Sequence, residues 1–175
     1  MYTPLLRIIF IIGSIGMAIF FYSKSDFTNM ALVLFSAILF IYGYFKYGTV
    51  YVAFQELKKG NNDKAEKLIS KIKNPKILNK GQKSYYHFIQ GVMASNREDW
   101  EKSYSEFTQA LNIGLRTKND TSIVLLHLAN IEFERKNFDQ ANAFIKKVRA
   151  FDLKPLIESE TDKLENEISV AQQSE

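Results

Sequence analysis

Cysteine is absent from this 175-residue chain, which also has one tryptophan, two histidines and three prolines. The absence of cysteine excludes disulfides, thiolate metal sites and cysteine nucleophiles. Long apolar runs are confined to one end: residues 5–22 contain 14 apolar residues of 18, and residues 30–45 contain 14 of 16. The mean hydropathy of −0.16 therefore averages two unlike parts. A uniformly polar domain, a disordered chain and a disulfide scaffold are excluded.

Charge is also distributed unevenly. Residues 51–83 carry nine lysines against three acidic residues, whereas residues 155–175 carry one lysine against six. A basic segment beside an apolar one suits an anionic lipid surface better than a nucleic acid. We expect anionic headgroups near Lys58, Lys59 and Lys64, and no nucleic-acid partner.

The two apolar runs predict a transmembrane hairpin over residues 1–47, with spans at 5–23 and 27–47. A helix of about 20 apolar residues crosses a bilayer, and Arg7 and Lys46 stand near span ends, where charged groups reach the interface. The distribution of basic residues puts both termini and the following domain in the cytoplasm. An integral membrane protein, of the bacterial inner membrane, is therefore expected. A buried hairpin in a soluble protein and a cleaved signal peptide are the alternatives.

No proline or polar linker separates the second span from the helix that follows it. The sequence therefore predicts one helix from Thr28 to Lys59, with Gly48 as its weak point. Such a helix would hold the following domain rigidly.

The rest of the chain repeats with a period of about 38 residues. Small residues recur in two series and bulky apolar residues in a third, with polar turns between the first two series. Such a pattern predicts three helix-turn-helix units, in which small residues let paired helices approach. The three series are Ala53, Gly91 and Ala129; Ala65, Ser103 and Ala141; and Ile69, Phe107 and Ile145.

These positions resemble the tetratricopeptide repeat family, although the period of that family is shorter, at about 34 residues. The unit at 84–115 matches best, through Gly91, Trp100, Ser103, Phe107 and Ala110. The unit at 122–155 matches through Leu125, Leu128, Ala129, Phe138, Ala141 and Pro155. The first unit, at 46–75, is degenerate, with Asn62 where the family has an aromatic residue. An unrelated helical bundle with coincident spacing is the alternative.

The resemblance implies a groove, lined by the first helix of each unit, that takes a peptide or helix from a partner protein. The implied groove residues are Phe54, Leu57, Tyr85, Phe88, Val92, Asn96, Ile123, Leu126, Asn130 and Phe133. Family members that hold a carboxyl tail use lysine, asparagine and arginine on these faces. The corresponding positions here are Val50, Phe54, Ile123 and His127. Carboxylate-tail recognition is therefore not expected. The alternative is that several of these aromatics are packed by the capping helix or by the membrane-proximal segment.

Residues 155–175 have helical apolar spacing with an acidic opposite face, which predicts a capping helix. The alternative is an acidic helix that docks a partner. The predicted fold is thus all-α: a transmembrane hairpin (1–47), a short solenoid of about three tetratricopeptide-like units (48–154) and a C-terminal capping helix (155–175).

No phosphate-binding loop, nucleophile elbow or paired metal ligands occur, so no enzyme, catalytic residue, metal or cofactor is expected. His87 and His127 are expected to be packed or groove-lining. The predicted function is a membrane-anchored adaptor that binds a partner peptide or helix in the groove. The alternative is an accessory or assembly subunit of a membrane complex that contacts its partners through the hairpin.

Overall fold

A computed structural model describes residues 4–173 of the chain, and for residues 4–8 and 43–47 it describes the backbone alone. Every regular element in that range is helical, so the predicted all-α class is confirmed. The α-helices are α1 (Pro4–Ser23), α2 (Phe27–Lys58), α3 (Asn62–Ile69), α4 (Lys80–Ser95), α5 (Trp100–Ile113), α6 (Lys118–Glu134), α7 (Phe138–Arg149) and α8 (Pro155–Gln173), with a 3₁₀ turn at Pro75–Ile77.

The chain forms two compact units, an N-terminal unit (Met1–Gly48) and a C-terminal unit (Thr49–Glu175). The run of α2 passes through this boundary, but Gly48 has non-helical backbone angles (φ 16°, ψ −170°). The predicted uninterrupted helix from Thr28 to Lys59 is therefore wrong at Gly48, where the backbone leaves the helical conformation.

The N-terminal unit is a hairpin of α1 and the first part of α2. Asp26 begins α2, because its carboxylate oxygens accept from the backbone N–H of Asn29 at 3.1 Å and from the Asn29 side-chain amide at 2.7 Å. Such a side-chain cap satisfies donors that a helix start leaves unpaired. The rings of Phe10 and Phe40 stack with centroids 5.3 Å apart.

The predicted transmembrane hairpin requires a correction. A crossing needs about 20 consecutive apolar residues. Over the described residues, no helix is long and apolar enough to cross a membrane. This finding contradicts the spans at 5–23 and 27–47, and with them the predicted integral-membrane localisation and cytoplasmic orientation. Arg7 and Lys46 were predicted to reach the interface, but their side chains lie outside the described ones.

In the C-terminal unit, three turns share one geometry and recur with the period of the sequence repeat. Each has one residue with a left-handed backbone: Gly60 (φ 79°), Glu98 (φ 59°) and Lys136 (φ 57°). Each left-handed residue also donates its backbone N–H to the carbonyl three residues earlier, at 2.8–2.9 Å. Glycine adopts this conformation without strain, but glutamate and lysine do so at a cost.

Each turn ends at the residue that starts the second helix of its unit. The N–H groups of Asn61, Asp99 and Asn137 donate to the carbonyl five residues earlier at 2.9, 3.0 and 2.8 Å. The side-chain amides of Asn61 and Asn137 also donate to Glu56 and Glu132, the residues at the equivalent positions. The repeat spacing in the sequence is thus a spacing of equivalent turns in the structure.

Small residues let the two helices of each unit approach closely. Ala53, Ala65, Ala129 and Ala141 are fully buried. At Gly91 the approach is closest, since an added Cβ would lie 2.7 Å from the Phe107 ring. These units form one continuous core, which runs from Val50 to Ile168.

The last helix, α8, packs against α7 and α6. Its buried residues, Ile157, Thr161, Leu164 and Ile168, lie on one face. Beside this face, the Arg149 guanidinium at the end of α7 binds the carboxylates of Asp162 and Glu165. The helix therefore covers the end of the array with an apolar face and leaves an acidic face outward.

Candidate binding cleft

A cleft of about 250 Å³ lies in the C-terminal unit, where the first helices of the three predicted repeat units converge. Residues of α2, α3, α4 and α6 line it. Apolar side chains make up most of its wall. Its polar lining residues are Lys58, Asn62 and His127. The lining residues are Phe54, Leu57, Lys58, Asn62, Phe88, Val92, Ile123 and His127.

The cleft gathers half of the groove residues implied by the sequence and leaves out the rest. The five that line it are Phe54, Leu57, Phe88, Val92 and Ile123. The five that do not are Tyr85, Asn96, Leu126, Asn130 and Phe133. Tyr85 is buried, Asn96 is exposed at the end of α4, and the other three are partly buried along α6. The observed cleft is therefore smaller than the implied groove, and one end of that groove lies outside it.

Buried aromatic rings pack against one another at the cleft, tilted by 55–60°. The Phe54 ring lies 4.6 Å from that of Tyr85 and 5.5 Å from that of Phe88, between centroids, and Phe88 lies 6.1 Å from Phe107. Phe54, Tyr85, Phe88 and Phe107 are all buried. These rings pack against one another, and the capping helix α8 supplies none of the residues that line the cleft. The partly buried Leu57, Val92 and Ile123 are the accessible apolar wall.

His127 belongs to this apolar wall. Its ring stacks on that of Phe107, with centroids 4.8 Å apart and an interplanar angle of 8°. Burial lowers the pKa of His127 to about 4, because the charged form is disfavoured away from water. At neutral pH this side chain is an uncharged aromatic ring.

A buried polar cluster lies beside the end of the cleft. The Asp120 carboxylate is only 3% exposed, and its Oδ2 accepts a hydrogen bond of 2.5 Å from the Tyr85 hydroxyl. Burial, together with this carboxylate, raises the pKa of Tyr85. The Lys58 ammonium lies 3.8 Å from Asp120 Oδ1 and 4.8 Å from the centre of the Phe54 ring.

Asp120 is not among the site residues predicted from the sequence. Thr117 caps α6 by accepting from the Asp120 N–H at 3.0 Å, which matches the Ser/Thr-x-x-acid pattern of a helix start. That pattern could have marked the beginning of α6. It could not have indicated that Asp120 is buried beside Tyr85 and Lys58, which belong to earlier helices and are distant along the chain.

Two of the three lysines expected to meet anionic headgroups have partners within the chain. Lys58 pairs with Asp120, and Lys59 pairs with Glu56 at 2.9 Å between nitrogen and oxygen. The anionic-headgroup partner stays a prediction of the sequence. Within these pairs, the positive charge is offset locally.

The second histidine lies between α4 and α5, away from the cleft. His87 Nδ1 is 2.7 Å from Glu106 Oε2, and its Nε2 is buried with no hydrogen-bond partner among residues 4–173. In that same part of the chain, no group of three or more histidine, aspartate or glutamate residues could hold a metal ion.

Comparison of the chain with protein-family models, curated proteins and solved structures finds no match. The resemblance to tetratricopeptide repeats therefore rests on the residues of the sequence and stays a prediction.

Proposed function

We propose that the C-terminal unit is a protein-binding module whose cleft receives an apolar side chain from a peptide or helix of a partner protein. The observation that carries the proposal is the lining itself. Leu57, Val92 and Ile123 are apolar, partly exposed and converge on one cleft from three different helices. Burying such side chains against a partner releases about 25 cal/mol per Å² of apolar surface.

The size of the cleft supports a side chain rather than a whole small molecule as its occupant. Small-molecule sites are typically about 300–1,000 Å³. An apolar cavity of about 150 Å³ already holds benzene. A cleft of about 250 Å³ therefore suits one or two apolar side chains.

The polar groups near the cleft also favour binding over catalysis. Tyr85 and Asp120 are hydrogen-bonded to each other, and His127 is held uncharged against Phe107. A general acid or base works best with a pKa near the operating pH. The pKa of Tyr85 is raised and that of His127 is lowered to about 4, so neither is tuned for proton transfer at neutral pH.

The alternative function, an accessory subunit that contacts partners through a transmembrane hairpin, loses its basis. It depends on spanning helices, and none is found among the described residues.

The test is a charge placed in the cleft. Peptides are selected from a random library on the full-length chain, and their affinities are then measured for the variants Val92→Glu and Val170→Glu. Val170 is 66% exposed on α8 and supplies the same substitution outside the cleft. We expect Val92→Glu to weaken binding by at least about tenfold, which corresponds to about 1.4 kcal/mol. Val170→Glu should leave the affinity unchanged.

Circular dichroism shows whether both variants keep their helices. Equal affinities for the two folded variants, or the absence of any selected peptide that responds to Val92→Glu, would contradict the proposal.

A further inference from the structure

The carboxylate of Asp120 has one oxygen that the fold leaves without a hydrogen bond. Its Oδ2 accepts from Tyr85, whereas Oδ1 is buried and accepts from no donor among the described residues. The nearest cation, the Lys58 ammonium, is 3.8 Å away, beyond hydrogen-bond distance. A buried carboxylate oxygen without a donor is unfavourable, and a donor at about 2.8 Å would relieve it.

The position of Lys58 shows where a cation fits. Its ammonium lies near Asp120 Oδ1 and over the face of the Phe54 ring, and both Lys58 and Phe54 line the cleft. The ring face attracts cations, so the carboxylate and the ring together form a cation site at the end of an apolar cleft.

Lys58 occupies this site weakly. Its side chain is 48% exposed, and it stands at the last residue of α2, where solvent can receive it. An exposed lysine loses side-chain entropy when it is held in one geometry, and at 3.8 Å it makes no hydrogen bond to Oδ1, so a better-placed donor can displace it. Arg116, another cation near the cluster, is exposed, and its effect is to lower the pKa of Tyr85.

We infer that the partner segment carries an arginine beside its apolar anchor, and that this arginine displaces Lys58 and binds Asp120 Oδ1. A guanidinium suits the site better than an ammonium. Its planar group can donate to the carboxylate oxygen while its face stacks on Phe54. The inference rests on the proposed function, because the arginine is placed by the apolar side chain in the cleft.

The experiment uses peptides selected from the random library on the full-length chain. Each selected peptide is resynthesised with citrulline, the neutral isostere, in place of its arginine. We expect citrulline to weaken binding to the wild-type chain by about tenfold or more. With Asp120→Asn, which keeps an acceptor for Tyr85, the same replacement should change the affinity less than about twofold.

Removal of Lys58 gives an effect in the opposite direction. Lys58→Ala should increase the affinity for the arginine peptide by about threefold to tenfold, since the competing cation is gone. The matched control is Lys59→Ala, which removes a neighbouring lysine that pairs with Glu56 instead. The Lys59 variant should leave the affinity unchanged, and Lys58→Ala keeps the test decisive if Asp120→Asn fails to fold.

The outcomes separate the two proposals. If selected peptides bind and respond to Val92→Glu but show no arginine preference, the arginine inference is wrong and the proposed function stands. A preference for arginine that survives Asp120→Asn, or a loss of affinity with Lys58→Ala, also overturns the inference. If no selected peptide depends on Val92, both proposals fail.

Discussion

The two units of the chain treat their apolar side chains in opposite ways. In the N-terminal unit, Phe35 is 60% exposed, and most of the large apolar side chains described there are exposed with it. In the C-terminal unit, Phe107 is fully buried, and the apolar residues from Val50 to Ile168 form one core. The N-terminal unit is richer in apolar residues, yet it buries fewer of them.

The difference shows that spacing, and not apolar content, makes a core. Two paired helices can bury one stripe of each helix, so a run such as 30–45, apolar at 14 of 16 positions, must expose the remainder. The C-terminal unit places its apolar residues at helical intervals on several helices, each of which covers another. An exposed apolar surface is unfavourable in water.

Truncation of one phenylalanine in each unit tests this contrast most strongly. Phe107→Ala should reduce the free energy of unfolding by about 3–5 kcal/mol, because it leaves a cavity among Phe88, Gly91 and His127. Phe35→Ala should change it by less than about 0.5 kcal/mol. Denaturant unfolding of the full-length chain, followed by circular dichroism, measures both. Similar losses for the two variants would show that the contrast is incorrect.

Enlarging one glycine in each unit sharpens the contrast from the other side. Gly91→Leu should cost about 3 kcal/mol, since its Cβ alone would lie 2.7 Å from the Phe107 ring. In the N-terminal unit, Gly13→Leu places its Cβ where, among the described residues, no atom outside the adjoining helix backbone lies within 4 Å, so little change is expected. The same unfolding measurement applies, and a tolerated Gly91→Leu would contradict the close approach of α4 and α5.

Acid should lower stability through histidine protonation in the C-terminal unit only, because both histidines of the chain lie there. The pKa of His127 is about 4 in the folded chain and about 6.5 when unfolded, so the unfolded chain binds more protons between these values. The contribution of neutral His127 to the free energy of unfolding is present above pH 6.5 and is lost as the pH falls towards 4.

Between pH 7.5 and pH 5 this loss is expected to be about 2 kcal/mol. His127→Phe, which keeps an aromatic ring against Phe107, should remove that part of the pH dependence. Unfolding free energies at the two pH values provide the measurement. An unchanged pH dependence in the variant would refute the assignment to His127.

The repeat could be predicted from the sequence because its signal is local and periodic. Small residues at 53, 91 and 129 fix where helices approach, and polar segments fix the turns. The left-handed backbone at Glu98 and Lys136 could not be predicted from those residue types, since the turn geometry imposes it. The sequence marks Gly48 as the weak point of the long helix, but it does not show that the backbone leaves the helical conformation there.

The candidate site was predictable where it depends on the repeat, and not where it depends on long-range contacts. Phe54 and Val92 occupy equivalent positions in the first and second repeat units, and both line the cleft. Leu126, Asn130 and Phe133 also lie on α6, but they do not line the cleft formed where α2, α4 and α6 converge. The pairing of Lys58 with Asp120 depends on that convergence, and no local sequence pattern indicates it.

The central claim is that a partner segment occupies this cleft, and thiol protection tests it most directly. The chain has no cysteine, so one cysteine placed at Asn62 in the cleft, or at Val170 outside it, is the sole site of alkylation. A saturating selected peptide should slow alkylation at position 62 by about tenfold or more and leave position 170 unaffected. Equal rates at position 62 with and without the bound peptide would contradict the account.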